Sequence, residues 1–140
     1  MVFMLLLTVC LNDSLKTACL SSIKLILEAK LMIEIDNKED LDNILKRNGK
    51  VLVLFYASWC PFCMRFVSVF DRRIINSRIE TIHVLLDDYD NRLWDDYFID
   101  AVPTVILFDK CKVSKRLDGR LGAGLNEKQL ESWLLDLIAC

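Results

Sequence analysis

Two cysteines separated by two residues carry the strongest chemical signal in this sequence. Cys60 and Cys63 lie in YASWCPFCMRF, residues 56–66, directly after an apolar run. A pair at this spacing is typical of a redox-active dithiol, of half a metal site, or of two buried core residues. Structural zinc usually needs a second pair of ligands, and the sequence has no second C-x-x-C and only one histidine. We therefore favour redox chemistry.

The segments on either side of the pair predict how it is positioned. VLVLFY, residues 51–56, is a continuous run of apolar residues, as expected for a central strand covered on both faces. Pro61 suits the first turn of a helix, where its missing N–H is not needed. Cys60 would then face unpaired backbone N–H groups and the positive end of the helix dipole, which both favour a thiolate. Cys63, one turn later, could resolve a mixed disulfide formed at Cys60.

The rest of the chain alternates strand and helix patterns in the order β-α-β-α-β-α-β-β-α. This alternation implies a parallel core with helices on both faces, followed by an antiparallel hairpin. Asp36 and Glu39 form a capping-box pattern at the start of the first helix, and Asn48-Gly49 predicts a left-handed end to it. The expected strands lie at residues 31–35, 51–56, 81–87 and 104–108, with a last one in VSKRLDG, residues 113–119.

Length and composition bound the function classes. The 140 residues fit one domain, and a net charge of −2 gives no reason to expect nucleic acid or an anionic membrane as a partner. Six cysteines do not form a secreted disulfide framework here, because only one spacing is tight and apolar residues are plentiful.

Residues 1–30 precede the alternating strand and helix patterns and begin with an apolar run. Residues 2–11 are apolar except for one threonine and are too short to span a bilayer as a helix. They resemble the core of a secretory signal, but no Lys or Arg precedes them and no A-x-A site follows. We treat residues 1–30 as an N-terminal extension that is a helix, a signal-like segment or an anchor, and residues 31–140 as the domain. We expect a cytoplasmic protein, with export or membrane anchoring through residues 1–30 as the alternative.

VLVLFYASWCPFC followed by AVPT about forty residues later resembles the thioredoxin superfamily. The elements and turn residues from Leu31 to Ala139 follow the same pattern. The resemblance implies an α/β thioredoxin fold, a central mixed β-sheet flanked by helices on both faces. It also implies that Cys60 is the attacking thiol and Cys63 the resolving thiol of a redox-active disulfide.

Other site residues follow from the same resemblance. Trp59 would flank the site, and Pro61 and Phe62 lie between the two cysteines. Pro103 corresponds to the cis proline beside the disulfide, where a residue without an N–H lies against the sulfurs. Val102, just before it, corresponds to the position whose backbone pairs with substrate.

The sequence departs from thioredoxin at three places. Pro61-Phe62 replaces Gly-Pro between the cysteines and implies a less reducing couple than that of thioredoxin. Leu54 stands where thioredoxins place a buried Asp that accepts the proton of the resolving thiol, and His83 replaces the Lys that pairs with it. Proton transfer from Cys63 must then use water, His83 or the substrate, and a half-buried strand position is the commoner role for such a histidine.

Two further features lie outside the motif. Asp95, Asp96 and Asp100 precede Pro103, and a solvated helix face is their ordinary interpretation. If Asp100 borders the site, it would favour basic partners. Cys111 replaces the glycine usual in the last hairpin turn, as an exposed thiol or a neutral substitution.

The sequence therefore predicts a protein disulfide oxidoreductase without a cofactor. Its expected partners are protein disulfides and a thiol or reductase that donates electrons, and we expect a monomer. Two alternatives remain open at this stage: a thioredoxin-fold module that binds a protein without redox turnover, and a metal or iron–sulfur site at Cys60 and Cys63.

Overall fold

The computed structural model describes residues 32–139, so the extension predicted for residues 1–30 lies outside the described part. These residues contain five strands and four helices in the predicted order. The strands are β1 (Ile33–Ile35), β2 (Lys50–Tyr56), β3 (Glu80–Leu85), β4 (Thr104–Asp109) and β5 (Lys112–Asp118). The helices are α1 (Lys38–Arg47), α2 (Pro61–Ile74), α3 (Leu93–Asp96) and α4 (Glu127–Ala139). None of these helices is long and apolar enough to cross a membrane.

The five strands form one mixed sheet in the order β1-β3-β2-β4-β5, with the apolar strand β2 at its centre. β1 and β2 pair with β3 in parallel, whereas β4 is antiparallel to β2 and β5 is antiparallel to β4. The predicted parallel core is therefore limited to three strands. A parallel β4 would need a crossover that returns along the length of the sheet, and the four-residue helix α3 is only about 6 Å long.

Side chains from adjacent positions of β2 define the two faces of the sheet. The ring of Tyr56 lies 5.8 Å from His83, and His83 lies 6.0 Å from Phe70 of α2. Phe55 points to the opposite face because consecutive strand residues alternate, and its ring lies 5.7 Å from Tyr97, just after α3. The sheet is thus covered on both faces, as predicted.

Ion pairs show which helices lie together on each face. Arg73 of α2 contacts Glu127 of α4 at 2.7 Å, and Lys38 of α1 lies 3.5 Å from Asp96 of α3. The pairs of helices are therefore α2 with α4 and α1 with α3. The Arg73–Glu127 pair is well exposed on both side chains and adds little to stability compared with the buried apolar contacts beneath it.

The ends of α1 differ from the sequence-based expectation. Asn37, not Asp36, is the N-cap, and its side chain accepts a hydrogen bond of 2.9 Å from the Asp40 N–H. Asn and Asp are equally good caps, so residue type alone does not choose between neighbours. The helix ends at Asn48 in extended backbone, φ −122°, and the Asn48 side chain donates to the Ile44 carbonyl. This hydrogen bond takes the place of the predicted left-handed cap.

The β4–β5 hairpin turn does contain left-handed residues. Lys110 and Cys111 have φ values of 50° and 67°, which matches a two-residue type I′ turn. A non-glycine residue costs about 1–2 kcal/mol in this region. We therefore expect Cys111→Gly to raise the free energy of unfolding by about 0.5–1 kcal/mol, since glycine also loses more entropy on folding, as measured by urea denaturation.

Lys112→Gly is the matched control for that substitution, because Lys112 is exposed and lies in the extended strand beside the turn. Glycine at this position should lower the free energy of unfolding by about 0.5–1 kcal/mol. Equal losses in both variants would show that Cys111 is not in a left-handed conformation.

Candidate active site

Cys60 lies where β2 has ended and α2 begins. It is the N-cap of α2, and its sulfur accepts a hydrogen bond of 3.3 Å from the backbone N–H of Cys63. Pro61 occupies the first helical position, as predicted. Both cysteines are free thiols, and Cys63 is fully buried. Cys60, the attacking thiol that the resemblance implies, is only 6% exposed, so it meets solvent over a small area.

A second segment, some forty residues later, completes the surroundings of Cys60. The peptide bond between Val102 and Pro103 is cis. The Cys60 thiol donates to the Val102 carbonyl oxygen, with 3.7 Å between sulfur and oxygen. The two motifs that the sequence singled out separately therefore meet at one sulfur atom.

The second thiol is held in its neutral form. Burial, followed by the hydrogen bond with Cys60, raises the pKa of Cys63 to about 12, against an ordinary value of 9.0. Because the thiolate is the reactive species, Cys63 is a poor nucleophile until its surroundings change.

We expect iodoacetamide at pH 8 to modify Cys63 far more slowly in the folded, reduced protein than in urea. Raising a pKa from 9.0 to about 12 lowers the thiolate fraction at this pH by about a thousandfold. Brief labelling, digestion and mass mapping would measure the rate at each cysteine. Equal rates at Cys63 in the folded and unfolded protein would contradict the burial of this thiol.

An apolar cleft of about 540 Å³ opens beside Cys60. Aromatic rings form one wall: Trp59 stacks on Tyr89 at 5.2 Å, and Tyr89 stacks on Trp94 at 6.4 Å. The remaining lining residues are Cys60, Pro61, Phe62, Asp100, Ala101, Val102, Arg120, Leu121 and Gly122. The predicted site residues except Cys63 and Pro103 thus lie around one cleft.

The loop before Cys60 is fixed by a residue that the sequence analysis missed. The Asp87 carboxylate accepts hydrogen bonds from the Ser58 N–H at 2.7 Å and from the Ser58 hydroxyl at 2.6 Å. The Trp59 indole N–H donates to the Asp87 backbone carbonyl at 3.3 Å. Asp87 follows β3 and Ser58 follows β2, and the carboxyl ends of parallel strands meet at one edge of a sheet. That rule was the available signal.

The opposite wall of the cleft is the loop after β5, which was also missed. A Cβ atom on Gly119 would overlap the carbonyl oxygen of Pro103, so only glycine allows this approach. A Cβ on Gly124, where φ is +67°, would lie 2.6 Å from the Phe62 Cβ. Between these two contacts, Leu121 is 84% exposed and lines the cleft.

Comparison with known proteins agrees with this architecture. The family model described as Thioredoxin matches residues 32–135.

The chain belongs to the thioredoxin family.

A thioredoxin from Mycoplasmoides gallisepticum is 36% identical over 92 residues, which cover 65% of this chain and 88% of that protein. Protein disulfide-isomerase A5 from Bos taurus is 27% identical over 111 residues, which cover 76% of this chain but 20% of that longer protein. The structure of oxidised thioredoxin from Plasmodium falciparum shares the fold, with a TM-score of 0.64 at 19% identity over 76% of this chain and 98% of that one. At the level of the family, the chain is a thiol–disulfide oxidoreductase.

Leu54 lies where the resemblance to thioredoxins implies a buried Asp, so this position of β2 has no carboxylate to accept a proton. Leu54 is fully buried, pairs in register with His83 and shares its face of the sheet, the face covered by α2. His83 is buried, and its Nε2 atom lies 2.8 Å from an Asp71 carboxylate oxygen. Asp71 lies eight residues after Cys63 on α2, about 12 Å along the helix axis. The histidine therefore contacts the end of α2 far from the thiols.

The described residues contain no group of three or more His, Cys, Asp or Glu side chains placed to hold a metal ion. Cys111, the remaining thiol within residues 32–139, is exposed in the β4–β5 turn. Strand β4 separates this turn from Pro103 by about 20 Å.

Proposed function

We propose that the protein exchanges disulfides with protein substrates through the Cys60–Cys63 couple. The observation that carries this proposal is the environment of the Cys60 sulfur. It lies at the N-terminus of α2, accepts the Cys63 N–H and borders an apolar cleft. A helix N-terminus with an N–H aimed at sulfur favours negative charge there.

The first step is attack by Cys60. Its thiolate forms a bond to one sulfur of the substrate disulfide, the substrate S–S bond breaks, and the other substrate sulfur leaves as a thiolate. The Val102 carbonyl accepts a hydrogen bond from the neutral Cys60 thiol but offers nothing to the thiolate. Ionised Cys60 thus keeps the Cys63 N–H and loses its contact with Val102, which frees the sulfur to turn toward the cleft.

The second step requires a proton to leave Cys63. Burial disfavours the Cys63 thiolate, Leu54 offers no acceptor, and His83 is held by Asp71. We propose that the departing substrate thiolate takes this proton, directly or through water, as the Cys63 sulfur attacks, because that thiolate is the base that the first step releases at the site. Cys63 then attacks the Cys60 sulfur, the Cys60–substrate bond breaks, and the second substrate thiol is released. Two electrons have passed to the substrate, and an external thiol or reductase must return them.

Substrate is expected to bind as an extended segment beside Val102. The lining of the cleft is mostly apolar, with Trp59, Pro61 and Phe62 around the sulfur. An extended segment could hydrogen-bond to the backbone at Val102 while its side chains contact these apolar groups, which is the usual basis of strand addition.

Reduction of insulin tests the proposal. Catalytic amounts of the protein, with dithiothreitol as electron donor, should accelerate precipitation of the insulin B chain over dithiothreitol alone. Titration of the couple against glutathione buffers would then give its potential and separate a reductase from an oxidase or isomerase. No acceleration, together with no detectable Cys60–Cys63 disulfide in any buffer, would overturn the proposal.

A further inference from the structure

The two walls of the cleft beside Cys60 carry opposite charges. The wall that contains Tyr89 and Trp94 belongs to residues 87–100, which include six aspartates and one arginine. Five of these aspartates are exposed. Asp87 binds Ser58, and the other four form what we call the acidic wall, of which Asp100 lines the cleft itself: Asp88, Asp90, Asp95 and Asp100. The loop on the other side of the cleft contributes Arg120.

Of the four aspartates in the acidic wall, Asp100 is nearest in sequence to Val102, the residue that contacts the reacting sulfur. It lines the cleft itself and comes two residues before Val102, whose carbonyl oxygen is 3.7 Å from the Cys60 sulfur. Two residues span at most about 7 Å of extended chain. A residue next to the substrate cysteine, paired along Val102, would therefore lie within reach of the Asp100 carboxylate.

In the described part of the chain, neither charge of the cleft has an ion-pair partner. Within residues 32–139, the ion pairs involve other side chains, such as Lys38 with Asp96, and neither Asp100 nor Arg120 takes part in one. The apolar surface between them has a low dielectric constant and strengthens the field that a bound segment experiences. The two charged side chains therefore favour a bound segment that carries charge itself.

We propose that the cleft selects disulfide-bearing protein segments with a Lys or Arg beside the reacting cysteine, on the side that faces Asp100 and the acidic wall. This inference rests on the proposed function and names its substrate class. An acidic neighbour would be repelled by the same carboxylates. Arg120 disfavours a basic residue on the opposite side, so it also sets the direction in which a charged segment binds.

Three disulfide-bonded peptides test the inference, identical except for Lys, Gln or Glu beside the reacting cysteine. A second set places the variable residue on the other side of that cysteine. The rate constant for oxidation of the reduced protein should fall in the order Lys, Gln, Glu in one set. We expect roughly a three- to tenfold difference between Lys and Glu at low salt, falling below about twofold at 0.5 M salt because of screening.

Substitutions at Asp100 connect the preference to this carboxylate. Asp100→Asn should reduce the ratio of the Lys to the Glu rate, and Asp100→Lys should reverse it, each rate being compared with that of the Gln peptide on the same variant. Asp136→Asn is the matched control, because Asp136 is exposed on α4, outside the cleft, and its loss changes the net charge equally.

The outcomes separate the inference from the proposed function. Equal rates for all three peptides in both sets, or a preference for Glu in both, would overturn the inference and leave disulfide exchange standing. A preference that Asp100→Lys does not change would also overturn it. Failure of every peptide to react, including Gln, would overturn the proposed function itself.

Discussion

Cys60→Ser is expected to abolish disulfide reduction, whereas Cys63→Ser is expected to stop the reaction at a covalent complex with the substrate. The first variant lacks the sulfur that lies at the N-terminus of α2 and borders the cleft, so its rate should fall roughly a thousandfold or more, to the background of the reductant. The second variant can still form the bond to Cys60 but has no thiol to resolve it.

Mass mapping of the Cys63→Ser product measures this difference directly. The substrate cysteine should be found on Cys60 and be released by added dithiothreitol. Cys111→Ser is the control, because Cys111 is an exposed thiol in a distant turn, and it should keep wild-type turnover. Substrate trapped on Cys63 in the Cys60→Ser variant would show that the assigned order of attack is wrong.

The double substitution of Cys60 and Cys63 by Ser addresses the binding-module alternative. If the protein acts by binding alone, capture of a partner should be unaffected in this variant. If exchange is the function, covalent capture should disappear with the thiols, and the weak non-covalent contacts of the cleft should remain.

The parts of the site that the sequence predicted are local in the chain. An apolar strand, a cysteine and a proline in consecutive positions specify a strand, a helix cap and a first helical turn through short-range geometry. Pro103 became visible only through resemblance to a family, because its approach to Cys60 depends on the path of the whole chain. The sequence left the direction of β4 relative to the parallel core open, since alternation of elements does not report the length of the crossover.

The missed residues act through contacts that no spacing reveals. Asp87 binds Ser58 across 29 positions of sequence, and neither residue belongs to a recognisable motif. The register of a cap is similarly undetermined when two good capping residues are adjacent, as for Asp36 and Asn37. Gly119 and Gly124 are easy to notice in the sequence as glycines. The contacts that require glycine at these positions, however, lie in distant segments, at Pro103 and Phe62.

Gly119 provides the second large expected effect. Any side chain there would overlap the backbone carbonyl of Pro103, which cannot move aside as a flexible side chain could. We expect Gly119→Ala to lower the free energy of unfolding by roughly 2–3 kcal/mol, the upper range for an overpacked buried contact. Urea denaturation would measure this change.

Gly49→Ala is the matched control, because a Cβ on Gly49 would meet nothing within 4 Å and its φ is not left-handed. This substitution should be neutral or stabilise the protein by up to about 1 kcal/mol through the unfolded chain. Equal stability of the two variants would show that the loop after β5 does not approach Pro103 closely.

Gly119→Ala also tests whether this glycine positions the backbone at the Cys60 sulfur, apart from its effect on stability. Displacing the Pro103 carbonyl also displaces Val102, whose oxygen contacts the Cys60 thiol. The rate of disulfide exchange should therefore fall by about tenfold or more even where all of the protein is folded, since a misplacement of about 1 Å can cost far more than tenfold in rate. A variant that is less stable but exchanges disulfides at the wild-type rate when folded would show that Gly119 supports the fold without positioning Val102.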